Sequence, residues 1–207
     1  MPDEVSRGAK VSGQGSAGRR VVGLVAGAMV LMSLASCGGA VSQGAGDSPT
    51  GIPLNLAACT PGPAGSPVPG GLPDITLDCL GHGPAVRVGS LRGPAVLNMW
   101  ASWCAPCQQE TPALQSAHEA QGARIRFLGV DTRDDSGAAL GFLRAERVTY
   151  AQLSDPSGTL AASLGTPGLP TTVAIDATGK IVWRKAGQLH AADLRAAISA
   201  VAEKGSP

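Results

Sequence analysis

"WASWCAPCQQETP" (residues 100–112) sets two cysteines two residues apart, with Pro106 between them and Trp103 in front. On its N-terminal side, "PAVLNMWAS" (94–102) is a short apolar run bounded by Pro and Ser, the pattern of a buried strand. On its C-terminal side, 105–121 carries Ala113, Leu114, Ala117 and Ala120 at three- and four-residue spacing, the pattern of a helix facing a core. The pair therefore lies where a central strand turns into a helix. Cys104 falls beside the helix's unpaired N–H groups and the positive end of its dipole. Cys107 lies one turn further in and is expected to be the more covered. A thiolate is the reactive form of cysteine, and positive potential favours it. An accessible, activated sulfur with a covered partner is what thiol–disulfide exchange needs: Cys104 attacks and Cys107 resolves. Pro106 suits a first turn, where no N–H is required.

Around this segment the chain reads as alternating strands and helices. "AVRVGSLRG" (85–93) is expected to be a short strand, "RIRFLGVDT" (124–132) a second central strand, and "DSGAALGFLRAERV" (135–148) a helix started by Asp135 or Ser136. "YAQLSD" (150–155) reads as an edge strand, and "SGTLAASLG" (157–165) as a short helix ending at Gly165. "TTVAIDATGKIVWRKAG" (171–187) predicts a hairpin turning at 176–179, and 190–204 an amphipathic closing helix. Together these give an α/β fold, a central mixed sheet with helices on both faces.

The N-terminal side has a different texture. Arg7, Lys10, Arg19 and Arg20 precede "VVGLVAGAMVLMSLAS" (21–36), an uncharged apolar run. This is the layout of a secretory signal peptide, and it is short for a spanning helix. An uncleaved membrane anchor is the other reading. Residues 37–73 are rich in Gly, Pro, Ser and Ala, with little apolar surface to offset chain entropy, so a flexible tether is expected. Its far end is tied down if Cys59 is bridged. The domain organisation is thus signal 1–36, tether 37–73 and domain 74–203. The whole chain of 207 residues has a net charge of +1. The first 36 residues hold four of its 16 basic and two of its 15 acidic groups, so the remainder carries −1. No basic block marks the second half, which argues against a nucleic-acid partner.

A zinc site is not indicated. Structural zinc wants four ligands, usually two short-spaced pairs, and only Cys104 and Cys107 are close in sequence. His82, His118 and His190 are scattered. The chain has five cysteines; if Cys37 is lipidated four remain, and outside the cytoplasm an even number favours disulfides. With Cys104 and Cys107 paired, Cys59 and Cys79 are left to form a structural bridge, the alternative being buried or unpaired thiols.

"VLNMWASWCAPCQQETP" is similar to the active-site segment of the thioredoxin-like superfamily, and "GLPTTVAID" (168–176) resembles that superfamily's second signature. The likeness spans about residues 74–203. It implies a helix kinked at Pro112 and a cis Pro170 facing the two sulfurs. Leu169, before it, would pair backbone to backbone with a bound substrate chain, and Trp103 would also border that chain. The closest subgroup is the TlpA/ResA-like membrane-tethered thiol-disulfide oxidoreductases, to which the extra segment 135–155, the anchor and Glu110 all point. In that subgroup a carboxylate at the position of Glu110 tunes the cysteines; a helix-surface glutamate is the plain alternative. Asn98 stands where thioredoxin itself has a buried, proton-shuttling Asp, so that role is absent or moved to Glu110. Trp100 and Trp103 are both expected to pack around and shield the sulfurs, and Met99 to be core. "LASC" (34–37) resembles the lipobox of bacterial lipoproteins, which implies acylation of Cys37 and a lipid anchor on the extracytoplasmic face of the membrane. The implied protein is a monomer without bound cofactor or metal. Its partners would be exported proteins with thiols or disulfides, apocytochrome c among the candidates, and a membrane electron donor. The expected role is reduction of those disulfides; a disulfide-forming oxidase or a non-catalytic binding or chaperone module are the alternatives.

Overall fold

The computed structural model describes residues 54–62, 65–166 and 168–203. The signal segment, Cys37 and residues 38–53 of the tether lie outside these. The described chain runs β1 (Thr76–Cys79), β2 (Val86–Arg87), β3 (Ala95–Trp100), α1 (Ala105–Gln121), β4 (Arg126–Thr132) and α2 (Ser136–Ala145). It continues through β5 (Ala151–Asp155), α3 (Thr159–Ser163), β6 (Thr171–Ile175), β7 (Ile181–Ala186) and α4 (Ala191–Glu203). The strands form one seven-stranded mixed sheet in the order β2-β1-β5-β4-β3-β6-β7.

The centre of the sheet is built from two parallel crossovers. β3 pairs parallel with β4 from Ala95↔Arg126 to Trp100↔Asp131, and β4 pairs parallel with β5. β6 runs antiparallel against the other side of β3, and β7 completes the hairpin. All six residues of β3 are buried. Strands buried on both faces are near-continuously apolar, which is why "AVLNMW" shows no alternation. Val96 and Trp100 face a core shared with α1, α2 and α4, through Leu114, Leu143 and Val201. Ala95, Leu97 and Met99 face the opposite core, closed by Leu160 of α3 and by Leu72, Val86 and Leu91 from the N-terminal side. Among the described residues, helices thus cover both faces, three on one and one on the other.

Four expectations are corrected. The strand read at 85–93 is only β2, two residues long, followed by a 3-10 turn over Val88–Ser90. β5 is not an edge: β1, which the sequence pattern does not single out, pairs antiparallel with it through Asp78↔Ser154 and Cys79↔Leu153. The buried stripe of α1 is Cys107, Glu110, Thr111, Leu114 and Gln115, while Ala113 and Ala120 are exposed. Polar side chains occupy that stripe because each is bonded: Gln115 donates to Thr149 Oγ1 and accepts from the Thr149 N–H. Finally, the described tether residues are not free. Leu56, Cys59 and Leu72 are buried, and the Ala57 N–H donates to the Thr149 carbonyl.

Candidate active site

β3 ends at Trp100 and α1 begins at Ala105, so Cys104 is the N-cap of α1. Its backbone is extended (φ −87°, ψ 100°), which turns its side chain back over the first turn. There Sγ accepts the Cys107 N–H at 3.3 Å, one of the donors a helix N-terminus leaves unpaired. Cys104 and Cys107 are joined as a disulfide with Cα atoms 5.2 Å apart. Cys104 is 5% exposed and Cys107 0%. Cys104, the residue expected to attack, is therefore the more accessible of the two, but far less open than the sequence pattern leads one to expect.

The loop before the pair is held from outside. The Ser102 N–H and Oγ both donate to Asp134, and Gln108 Nε2 donates to the Ser102 carbonyl. Trp103 departs from its expected packing. It is 62% exposed, the one large hydrophobic side chain exposed among the described residues, and its Nε1–H donates to the Arg133 carbonyl. Trp100 does pack, 2% exposed, with Nε1–H on Gln152 Oε1 at 3.0 Å. Gly129 makes that bond possible, since a Cβ there would sit 1.8 Å from Gln152 Oε1.

Glu110 is not a surface residue. It lies one turn beyond Cys107, 1% exposed. Its Oε1 accepts from Asn98 Nδ2 at 2.7 Å and its Oε2 from the Leu189 N–H at 2.6 Å. Asn98 Nδ2 also donates to Thr172 Oγ1, so β3, α1, β6 and the segment before α4 meet at one carboxyl. Burial pushes the Glu110 carboxyl above its ordinary range, only partly offset by those bonds and by Lys185. Asn98, which cannot ionise, thus anchors the carboxyl that can.

The Leu169–Pro170 peptide is cis, with Pro170 buried and Leu169 partly exposed. A groove of about 150 Å³ runs beside them, lined among others by Trp103, Arg133, Thr166 and Leu169. It joins the active-site loop to the residue before the cis-proline, the two places named from sequence for a substrate chain. A larger hollow, about 280 Å³ and lined by His118, Tyr150 and Arg126, shares no residue with this site. Cys59 and Cys79 are bridged, Cα atoms 5.9 Å apart, and are not part of it.

Thr172, Leu189, Gln152, Asp131 and Asp134 are not singled out by the sequence pattern. The first three act through contacts distant in the chain, for which no local pattern exists. The two aspartates stand in view in "VDTRDD" (130–135), where an acid ending a buried strand is the available signal.

The AhpC/TSA family profile matches residues 70–184, more than half of the chain and the whole of the cysteine site. The chain belongs to the AhpC/TSA family. Among its relatives is the thiol:disulfide interchange protein DsbE homolog of Paracoccus denitrificans, 43% identical over 48% of this chain and 55% of that protein. The DsbE of Escherichia coli K12 is 36% identical over 70% of this chain and 73% of its own length. This chain matches 55% and 60% of the lengths of the first two relatives, those of P. denitrificans and Xylella fastidiosa. A secreted Mycobacterium tuberculosis disulfide oxidoreductase homologous to E. coli DsbE is 27% identical, with a TM-score of 0.54 over 63% of this chain and 96% of that one. This AhpC/TSA chain is therefore thioredoxin-like and of the DsbE/TlpA type.

Proposed function

We propose that this chain is an extracytoplasmic thiol-disulfide oxidoreductase that reduces disulfides of exported proteins. The observation that carries the reading is the cysteine pair at the α1 N-terminus, with Cys104 Sγ on the Cys107 N–H and Glu110 buried one turn below. In the dithiol form the Cys104 thiolate attacks one sulfur of a substrate disulfide. That S–S bond breaks, a mixed disulfide forms, and the other substrate sulfur leaves as a thiolate that takes up a proton. The Cys107 thiolate then attacks Cys104 Sγ and expels the second substrate sulfur. Two electrons have passed to the substrate, and Cys104–Cys107 is the oxidised product. A dithiol partner at the membrane returns the pair to its starting state.

The substrate chain is expected along the groove between Trp103 and Leu169, pairing with the backbone before Pro170. Likeness to DsbE proteins favours apocytochrome c cysteines as substrate, and the lipobox-like Cys37 favours a lipid anchor. Monomeric action belongs to the same reading. Trapping tests it. Cys107→Ser should accumulate a mixed disulfide with a protein substrate, because nothing resolves it, and Cys104→Ser should accumulate little. Equal trapping by the two variants would contradict the assignment of Cys104 as attacker.

A further inference from the structure

The acids at the end of β4 lie against the active-site loop and have no part in the exchange steps above. Asp131 is the residue paired with Trp100 in the parallel register, where β3 gives way to that loop. It is 1% exposed, and its Oδ1 has no donor among the described residues. After burial, the group that bears most on its carboxyl is Asp134, three residues on, which raises its proton affinity through charge and hydrogen bonding. Two carboxylates are acceptors only, and they bond to each other only when one carries a proton. Asp134 is meanwhile the acceptor for both the N–H and the hydroxyl of Ser102, two residues before Cys104. Arg133, between the two acids, is held in the left-handed region at φ 54°, and its carbonyl takes the Trp103 indole N–H. A conformation few arginines adopt is thus fixed where it serves the same loop.

We propose that Asp131 holds a proton toward Asp134 and that this contact positions the Ala101–Cys104 loop, so that loop geometry follows the protonation of Asp131. Asp131 is a positioning residue: it acts through Asp134 and Ser102. The proposal rests on Cys104 being the attacking sulfur only for its consequence, not for its structure.

Among the described residues, no cation is among the groups that act on Asp131. The loop after β4 contributes Asp134 and Asp135, both raising the Asp131 affinity for a proton. β5 contributes Ser154 opposite Asp131 and, next to it, Asp155, whose carboxylate is spent on the N–H groups of Thr159 and Leu160. Glu110 of α1 is held by Asn98 and Leu189 and is not among the groups that act on Asp131. The Arg133 guanidinium lies against Gly158. Burial first, and Asp134 next, push Asp131 up to about 7. Below that Asp131 is neutral and Asp134 stays on Ser102. Above it the buried Asp131 carries a negative charge toward the partly exposed Asp134, and Asp134 is driven off the loop.

The test uses the oxidised chain, in which the disulfide-bonded sulfurs do not titrate. The backbone amide resonance of Ser102 is followed by NMR between about pH 5 and 9, a range that brackets the raised acid. The unaltered chain should show an inflection near pH 7. Asp131→Asn, whose amide donates to Asp134 as the protonated acid would, should hold Ser102 at its low-pH position throughout. Asp134→Asn supplies a donor to Asp131 and should move the inflection to acid pH. A Ser102 resonance that does not titrate, or an inflection that survives Asp131→Asn and so belongs to a histidine, overturns the proposal. Neither result depends on the chain turning over a substrate. If the loop matters to exchange, the rate of Cys104–Cys107 reduction by dithiothreitol, corrected for its thiolate fraction, should show the same inflection and lose it in Asp131→Asn. A corrected rate that is flat in both would confine the device to structure and overturn the coupling to the attacking sulfur.

Discussion

Glu110 is a buried carboxyl one helical turn beyond Cys107. Its burial raises the carboxyl's proton affinity in the folded state, so the folded chain binds more protons than the unfolded one over the interval between the two pKa values. Its contribution to stability is fully present below the ordinary carboxyl pKa and is lost as pH rises through the folded value. Glu110→Gln should flatten that part of the stability–pH curve, read by denaturant unfolding at a series of pH values. Once ionised, Glu110 places negative charge one turn from Cys107, which opposes a second negative charge on sulfur. The same variant should therefore lower the thiolate pKa of the pair, measured by absorbance at the thiolate band or by alkylation rate. An unchanged thiolate titration would separate Glu110 from the chemistry and leave it as a tie between β3, β6 and the segment before α4. The pair itself is legible in the sequence because its signals are local: CxxC, the proline and the helix after it. The burial of Glu110 is not, since the Leu189 N–H that completes its bonding lies 79 residues away.

Among the elements, the β3–α1–β4 unit carries the site and is the most readable part of the chain. The apolar spacing predicts a helix over 105–121, and α1 is Ala105–Gln121. Its buried face differs from the alanine stripe, because alanine is equally at home exposed, while Glu110 and Gln115 enter the core once their bonding is met. β1 escapes sequence reading for a related reason: four residues, "TLDC", bury little besides Leu77 and gain their identity from pairing with β5. A sheet neighbour is a long-range fact that a short window does not hold. Close packing between elements also sets a prediction. Gly129 on β4 lets Gln152 of β5 cross to the Trp100 indole, and a methyl at that position would overlap the Gln152 side chain. Gly129→Ala should cost about 1–3 kcal/mol, the usual range for overpacking a filled core, with a shift of Trp100 fluorescence from loss of its Gln152 bond. A fully stable variant with native fluorescence would show that Gln152 has another low-energy position.

Over the described chain taken together, the N-terminal segment is part of the fold rather than a free lead-in. Leu56, Cys59 and Leu72 are covered, and the Cys59–Cys79 bridge ties this segment to β1 across a sequence separation of 20. Replacing both cysteines by alanine should destabilise by about 3 kcal/mol in the chain-entropy account. Because the bridge shares no residue with the site, turnover of a protein disulfide should persist below the new melting point. Electrons are expected to flow from the Cys104/Cys107 pair to substrate. Ala105 and Pro106 bring no cation to Cys104, and Glu110 adds a buried carboxyl, so the thiolate is stabilised mainly by the helix N-terminus. A strong oxidant needs far more stabilisation of its reduced form than that. Equilibrating the Cys104/Cys107 couple against glutathione redox buffers measures the balance. A reductase of this kind should show a potential nearer to thioredoxin's, about −270 mV, than to the roughly −120 mV of a strong oxidant. A potential well above the glutaredoxin range of about −200 to −230 mV, with fast oxidation of a reduced protein substrate, would contradict it.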